Sequence, residues 1–79
     1  MEQNIAREIG FIIRDLRNSK RISQEELAAR SGLHRTYIGC IERAEKVVTV
    51  VTLEKIATAL DVKLSEIFKR YENIKEGNK

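Results

Sequence analysis

A short run near the middle of the chain, HRTYIGCIERA at residues 34–44, combines basic, hydroxyl and very small side chains. If residues 35–43 form a helix, a rotation of about 100° per residue places Ile38 and Ile41 together on the buried side. The outward face then carries Arg35, Thr36, Gly39, Cys40 and Arg43. Arginine can donate two hydrogen bonds to guanine O6 and N7, and threonine can contact a base edge or a thymine methyl group. Glycine and cysteine leave room for close approach, so this face suits a helix that enters the DNA major groove.

Other interpretations of the same face are open. An ordinary solvent-exposed helix also accepts small side chains, although glycine in a helix interior costs about 1 kcal/mol relative to alanine. A helix that binds another protein helix needs an apolar stripe, which positions 35, 36, 39, 40 and 43 do not provide. RNA is disfavoured because its deep, narrow major groove excludes such a helix.

Enzymatic and metal-binding functions find little support in the sequence. There is no Gly-rich phosphate loop and no nucleophile–base set, so we expect that the protein is not an enzyme. His34 and Cys40 are two potential zinc ligands with no second pair nearby, and we therefore expect no metal and no other cofactor. The single cysteine cannot form an internal disulfide, which fits a reducing cytoplasm.

The composition and the charge distribution are typical of a small helical domain that binds a polyanion. The 79 residues are 42% hydrophobic and 34% charged, which allows one domain. Residues 14–46 hold eight Lys and Arg against five acidic residues, which accounts for the whole net charge of +3. This local basic surplus is typical of nucleic-acid binding. No apolar run approaches the roughly 18 residues of a membrane span, and no secretory signal is apparent, so we expect a cytoplasmic protein without membrane contact.

The first two helices are predicted with clear boundaries. Apolar residues at positions 5, 9, 12, 13 and 16 follow helical spacing and predict a helix over about 4–19, with Phe11 off the stripe. Ser23 and Glu26 form a capping box at the start of the second helix, and Ile22 and Leu27 form its hydrophobic staple. This helix is expected to end at Gly32, because a helix end often needs a left-handed residue.

Three further helices complete an all-α pattern with no strand and no repeat. The third covers about 35–43, and the fourth covers about 50–60 with Thr49 as its N-cap. The fifth covers about 64–71 and carries Leu64, Ile67, Phe68 and Tyr71. We therefore expect one domain over residues 1–71, followed by a polar and flexible C-terminal tail over 72–79.

A capped helix, a short Gly-containing turn and a second short helix make a helix-turn-helix. The run SQEELAARSGLHRTYIGCIERA resembles that of the lambda-repressor-like (Cro/C1, xenobiotic-response-element) family of bacterial regulators. The matching positions are Gln24, Leu27, Ala28, Gly32, Leu33, Ile38, Ile41 and Glu42. The resemblance covers residues 7–71 and implies a five-helix DNA-binding domain. The string LHRTYIGCIER is most similar to restriction–modification controller proteins, while phage-type repressors and antitoxins of toxin modules remain alternatives with the same fold.

The resemblance implies roles for individual residues. Gln24 is expected to bind a DNA phosphate at the start of the second helix, where free backbone N–H groups favour anions. Arg35 and Thr36 are expected to read bases. Tyr37 either contacts DNA or covers the core. Beyond the helix, Arg43 and Lys46 are expected to grip phosphates, whereas Gly39 and Cys40 only permit close approach.

Two more features follow from the resemblance. The family pairs the glutamate at Glu42 with an arginine of the first helix, so Arg17 and Glu42 are expected to form a structural ion pair. Relatives often carry a small hydroxyl residue where Gly39 stands and glycine where Ala44 stands. A phosphate contact is therefore expected to be missing at Gly39, and the turn after the third helix is expected to differ in shape.

Controller proteins act as twofold dimers that activate and repress their own promoters. The resemblance therefore implies a homodimer, a near-palindromic DNA operator and, for activation, contact with RNA polymerase. Ile67, Phe68 and Tyr71 offer more apolar surface than one small domain hides, and we expect them at the dimer interface together with parts of the fourth helix. The alternative is that the fifth helix is a plain core helix that packs on Leu53 and Ile56.

Overall fold

The computed structural model describes residues 4–77, apart from the side chain of Asn4, and it contains five α-helices. They are α1 (Asn4–Ser19), α2 (Gln24–Ser31), α3 (Arg35–Glu42), α4 (Val50–Ala59) and α5 (Leu64–Gly77). Helix α1 packs against α3 and α5, α2 packs against α3 and α4, and α4 packs against α5. The prediction of an all-α, five-helix fold is confirmed.

Local capping bonds explain why α2 and α4 begin where the sequence predicts. The Ser23 hydroxyl accepts a hydrogen bond from the Glu26 backbone N–H at 2.9 Å, and the Thr49 hydroxyl accepts one from the Thr52 N–H at 3.1 Å. The reciprocal half of the predicted capping box is not formed, because the Glu26 carboxylate binds Arg30 at 2.6 Å instead.

Each link that follows α1 to α4 contains one residue in the left-handed conformation. These residues are Arg21, Gly32, Ala44 and Asp61, with φ between 59° and 76°. The expectation of a differently shaped turn at Ala44 is therefore wrong in this respect. Ala44 adopts the conformation that a glycine would adopt there, at a steric cost of about 1–2 kcal/mol.

The core is built from the inward faces of all five helices. Its fourteen buried apolar residues are Ile9, Ile12, Ile13, Leu16, Ile22, Leu27, Ala28, Ile38, Ile41, Leu53, Ile56, Ala57, Leu60 and Ile67. Ile5 was expected on this inward stripe, but it is 48% exposed because it lines an open apolar groove between α1, α4 and α5. Phe11 lies off the stripe as predicted and is 58% exposed.

Gly10 sets the distance between α1 and the helix that carries the DNA-binding candidates. A Cβ atom at Gly10 would lie 2.5 Å from the Ile41 carbonyl oxygen and 2.9 Å from that of Glu42. Both oxygens belong to the last turn of α3, so only a residue without a side chain allows the two backbones to pack this closely. The sequence analysis did not single out Gly10.

Helix α5 is longer than the sequence analysis predicted. It continues to Gly77, so the predicted end of the fifth helix at residue 71 is wrong, and residues 72–77 are helical. The physical reason is that Ile67, Tyr71 and Ile74 recur at helical spacing, and Tyr71 and Ile74 pack against the core. The domain boundary at residue 71 and the flexibility of the tail stay predictions. Residues 78 and 79 lie outside the described part. Within residues 4–77, no helix has the length and apolar character needed to cross a membrane.

Candidate nucleic-acid interface

Helix α3 presents its polar residues outward from a firmly packed inner side. Ile38 and Ile41 are 0% and 2% exposed, whereas Arg35 and Thr36 are exposed at the N-terminal end of the helix. Tyr37 is half-buried and packs against the core, so it fills the structural role considered for it and keeps an accessible edge. His34 occupies the N-cap position in extended conformation and makes no side-chain capping bond.

A polar cleft of about 170 Å³ lies between the start of α2 and the outer face of α3. It is lined by Gln24, Arg35, Thr36, Gly39 and Arg43, all of which were predicted to bind DNA. Cationic, hydroxyl and amide groups thus converge on one concave site whose chemistry suits a phosphate or a base edge. Lys46 and Cys40 do not line this cleft; Lys46 is exposed in the loop after α3, and Cys40 is half-buried.

The prediction that Gly39 leaves an open patch on the outer face of α3 is wrong, because the Arg43 side chain covers this position. Gly39 is buried, and a Cβ atom at this position would lie 3.0 Å from Arg43 Nη1. Arg43 Nη2 also lies 4.0 Å from the Cys40 sulfur. The small residues of α3 therefore form a seat for the Arg43 guanidinium.

Glu45 holds that guanidinium in place. Arg43 Nε and Nη2 donate to the two Glu45 carboxylate oxygens at 2.9 and 3.1 Å. The hydrogen bond from Arg43 lowers the pKa of the Glu45 carboxyl, and the bond to Glu45 raises the pKa of the Arg43 guanidinium. Both groups are therefore charged at neutral pH. The sequence analysis did not assign a role to Glu45.

A second acidic residue faces the recognition helix. Arg35 Nε lies 3.8 Å from the Glu25 carboxylate, which is too long for a strong hydrogen bond. Both side chains are more than 60% exposed, so this pair is loose and Arg35 keeps its donors for another partner. The sequence analysis also missed this contact.

Arg17 and Glu42 form an ion pair that is linked to the cleft through Gln24. Arg17 Nε and Nη2 donate to the two Glu42 carboxylate oxygens at 2.7 and 3.0 Å, and the side chains are only 11% and 3% exposed. Arg17 Nη1 also donates to the Ile22 carbonyl oxygen at 2.9 Å. Gln24 Nε2 donates to Glu42 at 3.1 Å. One buried carboxylate therefore joins α1, α2 and α3, and it fixes the angle between the two helices of the helix-turn-helix.

No metal centre is evident in the described chain. Across residues 4–77, no group of three His, Cys, Asp or Glu residues is close enough to hold a metal ion.

An apolar groove of about 460 Å³ lies on a different surface. Its lining comes from α1, the loop before α4, α4 and α5: Ile5, Ala6, Ile9, Val47, Val48, Val50, Leu53 and Phe68. Val47 and Val50 are 76% and 65% exposed, and the neighbouring Val51 is 64% exposed. Parts of the fourth helix were expected at the dimer interface, but none of these valines was predicted individually.

The predicted dimer residues on α5 occupy different environments. Phe68 lines the groove and is 38% exposed, while Tyr71 is half-buried. Ile67 is 0% exposed, so its placement at an interface is wrong. The Ile67 side chain points into the core, so it can stabilise an interface on α5 only through its packing beneath the exposed residues.

Comparisons with known proteins agree with this geometry. Residues 13–67 match the helix-turn-helix family model. The chain is 48% identical over 58 residues to control protein C.SmaI of Serratia marcescens, covering 73% of this chain and 69% of the relative. It is 43% identical over 68 residues to control protein C.BamHI of Bacillus amyloliquefaciens, covering 85% and 84%. The crystal structure of the restriction-modification controller protein C.AhdI from Aeromonas hydrophila superimposes with a TM-score of 0.79 at 42% identity, covering 81% and 97% of the two chains.

Proposed function

The chain belongs to the helix-turn-helix family, as a DNA-binding transcriptional regulator of the restriction–modification controller type, and from this premise we propose how it binds its operator. It binds a near-palindromic site in double-stranded DNA as a homodimer in the cytoplasm, and it both activates and represses its own promoter. The observation that carries this proposal is the cleft in which Gln24, Arg35, Thr36, Gly39 and Arg43 converge. The family consists of transcriptional regulators and is non-enzymatic.

In this proposal the N-terminal half of α3 enters the major groove. Arg35 and Thr36 are exposed there and face base edges, where arginine recognises guanine and threonine recognises a base edge or a thymine methyl group. Gln24 uses one amide hydrogen on Glu42 and donates the other to a phosphate. Lys46 extends from the loop after α3 and binds the phosphate backbone, which adds affinity without sequence preference.

The buried Arg17–Glu42 pair makes this placement reproducible. Base readout requires that side chains be held to within a fraction of an ångström, which needs a rigid support under the recognition helix. Glu42 receives three hydrogen bonds from α1 and α2, so α3 cannot rotate about its axis without breaking them. The pair contributes to function through geometry and does not touch DNA.

The apolar groove supports the homodimer part of the proposal. Val47, Val50 and Phe68 expose apolar area next to one another, which a monomeric domain of this size rarely leaves uncovered. A twofold axis through this surface pairs the groove of one copy with the groove of the other. The two recognition helices are then expected about 34 Å apart, which is one turn of the duplex. Activation in this scheme requires that the bound dimer contact RNA polymerase.

A gel-shift and footprinting experiment tests the DNA part of the proposal. The probe is the duplex immediately upstream of the reading frame of this chain, and the control is a random duplex of equal length and base composition. We expect a protected site with two half-sites one helical turn apart, and an affinity that falls steeply with added salt. Equal affinity for both duplexes at every salt concentration would refute the proposal.

Sedimentation equilibrium tests the dimer separately. Val50→Glu places a charge in the groove at the first position of α4, where an acidic residue does not disturb the helix. Phe11→Glu is the matched control, because Phe11 is 58% exposed on a different surface. We expect a folded monomer for Val50→Glu and a dimer for Phe11→Glu. The reverse result would place the interface elsewhere.

A further inference from the structure

Arg43 has a conformation that differs from that of an arginine reaching out to a phosphate. Its guanidinium lies back along α3, with Nη1 3.0 Å from the position of a Gly39 Cβ and Nη2 4.0 Å from the Cys40 sulfur. It also lines the cleft that contains Arg35 and Thr36. The cation therefore lies on the face of α3 that carries Arg35 and Thr36, which in the proposed complex turns to the bases.

The pairing with Glu45 leaves one edge of the guanidinium available. Glu45 takes the edge formed by Nε and Nη2, at 2.9 and 3.1 Å. Within residues 4–77, Arg43 Nη1 makes no hydrogen bond. Besides its bond to Glu45, Arg43 Nη2 has only the weak contact with the Cys40 sulfur, so its second hydrogen is available. This end of the guanidinium has the two parallel N–H groups that match guanine O6 and N7.

The backbone of Glu45 is held at the end of α3, although the side chain is exposed. Its backbone N–H donates to the Cys40 carbonyl oxygen at 2.8 Å, in the bond that closes the end of α3. The equivalent residues after α1, α2 and α4 are Ile22, Leu33 and Val62, which fit the hydrophobic contact that usually accompanies such a helix end. Glu45 is the polar exception, and its carboxylate instead binds Arg43.

We propose that Arg43 reads a guanine base and that Glu45 is the residue that positions it. This inference rests on the proposed DNA-binding function and adds a specificity pair to it. Glu45 fixes the guanidinium plane before DNA arrives, so the wrong base meets a donor pair that cannot turn away to another acceptor. The seat under the guanidinium is Gly39, whose missing side chain allows Arg43 to lie flat against α3.

The positioning role has a signature that simple electrostatics does not share. Glu45 is an anion beside DNA, so its removal relieves repulsion and raises affinity for every sequence. The same change frees Arg43 to turn to phosphates, which lowers the preference for one base pair. Glu45→Gln is therefore expected to strengthen binding to random DNA and at the same time weaken discrimination at a single position.

The experiment starts with selection of a binding site from a random duplex library by the wild-type protein. Affinities for the selected site and for each single-base variant are then measured by fluorescence anisotropy. Arg43→Ala is expected to lose about 5- to 150-fold discrimination at one G·C pair, the range for a bidentate base contact. Glu45→Gln is expected to lose about two- to fivefold at that same pair, the range of an exposed charge pair. In an Arg43→Ala background, Glu45→Gln is expected to change discrimination no further.

Two variants complete the design. Glu66→Gln removes the same charge from an exposed pair of similar length, Arg70 Nε–Glu66 Oε2 at 2.9 Å, on α5. It is expected to leave base preference unchanged. Gly39→Ala favours the helix but pushes on Arg43 Nη1, so it is expected to raise the melting temperature while it lowers discrimination at the same G·C pair.

The possible failures are distinguishable. If the wild-type protein selects no sequence, the proposed function is refuted and this inference with it. If it selects a site but Glu45→Gln only raises affinity by the same factor on every duplex, Glu45 does not position Arg43. If Arg43→Ala weakens all duplexes equally, Arg43 is a phosphate contact and the inference is refuted while the proposed function stands.

Discussion

Gly10→Ala is expected to loosen the docking of α3 on α1 and to destabilise the whole domain. The added Cβ would lie 2.5 Å from the Ile41 carbonyl oxygen, whereas a close carbon–oxygen contact is about 3.3 Å. The helices must therefore separate by about 0.8 Å. Because the opposing atoms are backbone, no side chain can turn away to relieve the contact.

The size of the effect follows from two opposing contributions. Overpacking a tight site costs about 1–3 kcal/mol, and the rigid backbone on both sides favours the upper end. Replacing glycine by alanine inside a helix returns about 1 kcal/mol. The net loss is about 2 kcal/mol, out of about 4–12 kcal/mol expected for a domain of this length. The melting temperature should fall by about 8–16 °C.

Thermal and urea denaturation followed by circular dichroism measure this loss. Gly77→Ala is the matched control. Gly77 is also a helical glycine, the last residue of α5, but an added Cβ there would have no atom within 4 Å. That variant is expected to be at least as stable as the wild type. A Gly10→Ala protein with wild-type stability would show that α1 and α3 are not packed backbone to backbone, and the geometry described for the recognition helix would be wrong.

Three further experiments test other parts of the structure. Glu42→Ala leaves the buried Arg17 guanidinium without a partner, and the free energy of unfolding measured in urea is expected to fall by about 3–5 kcal/mol. A loss below about 1 kcal/mol would show that the pair contributes no more than an exposed ion pair. Ala44→Gly relieves the strain of a φ of 60° and is expected to raise the free energy of unfolding by up to about 1 kcal/mol, whereas Ala29→Gly inside α2 should lower it by about that amount. Stability changes of the same sign in both variants would argue against a left-handed residue at position 44. Arg35→Ala is expected to cost about 1–3 kcal/mol on the operator and relax one base position, while Lys46→Ala should weaken operator and random DNA alike; identical profiles in anisotropy titrations would contradict these roles.

Helix starts were predictable from sequence because they depend on local bonds. Ser23 and Thr49 accept hydrogen bonds from residues three positions further along, and such contacts are set by spacing alone. The length of α5 was also encoded, since Ile74 continues the stripe of Ile67 and Tyr71. The polar residues Glu72 and Asn73 separate Ile74 from Tyr71, and for this reason the predicted helix ended too early.

Contacts that depend on tertiary packing could not be predicted in this way. The role of Gly10 depends on the position of the last turn of α3, because the residues that it contacts, Ile41 and Glu42, are more than thirty positions away in the chain. Arg43 and Glu45 are two residues apart, a spacing at which side chains on a helix do not face each other. They meet because Ala44 is left-handed and turns the chain back on itself. The exposed valines of the groove were overlooked because only the inward face of α4 has a helical pattern.

The central claim is that α3 lies in the major groove, and methylation interference on the selected operator tests it most directly. Methylation of guanine N7 alters the major-groove edge, whereas methylation of adenine N3 alters the minor groove. Interference is expected at guanine N7 in two clusters about one helical turn apart, one for each recognition helix. Interference confined to adenine N3, or none at any guanine, would contradict the claim.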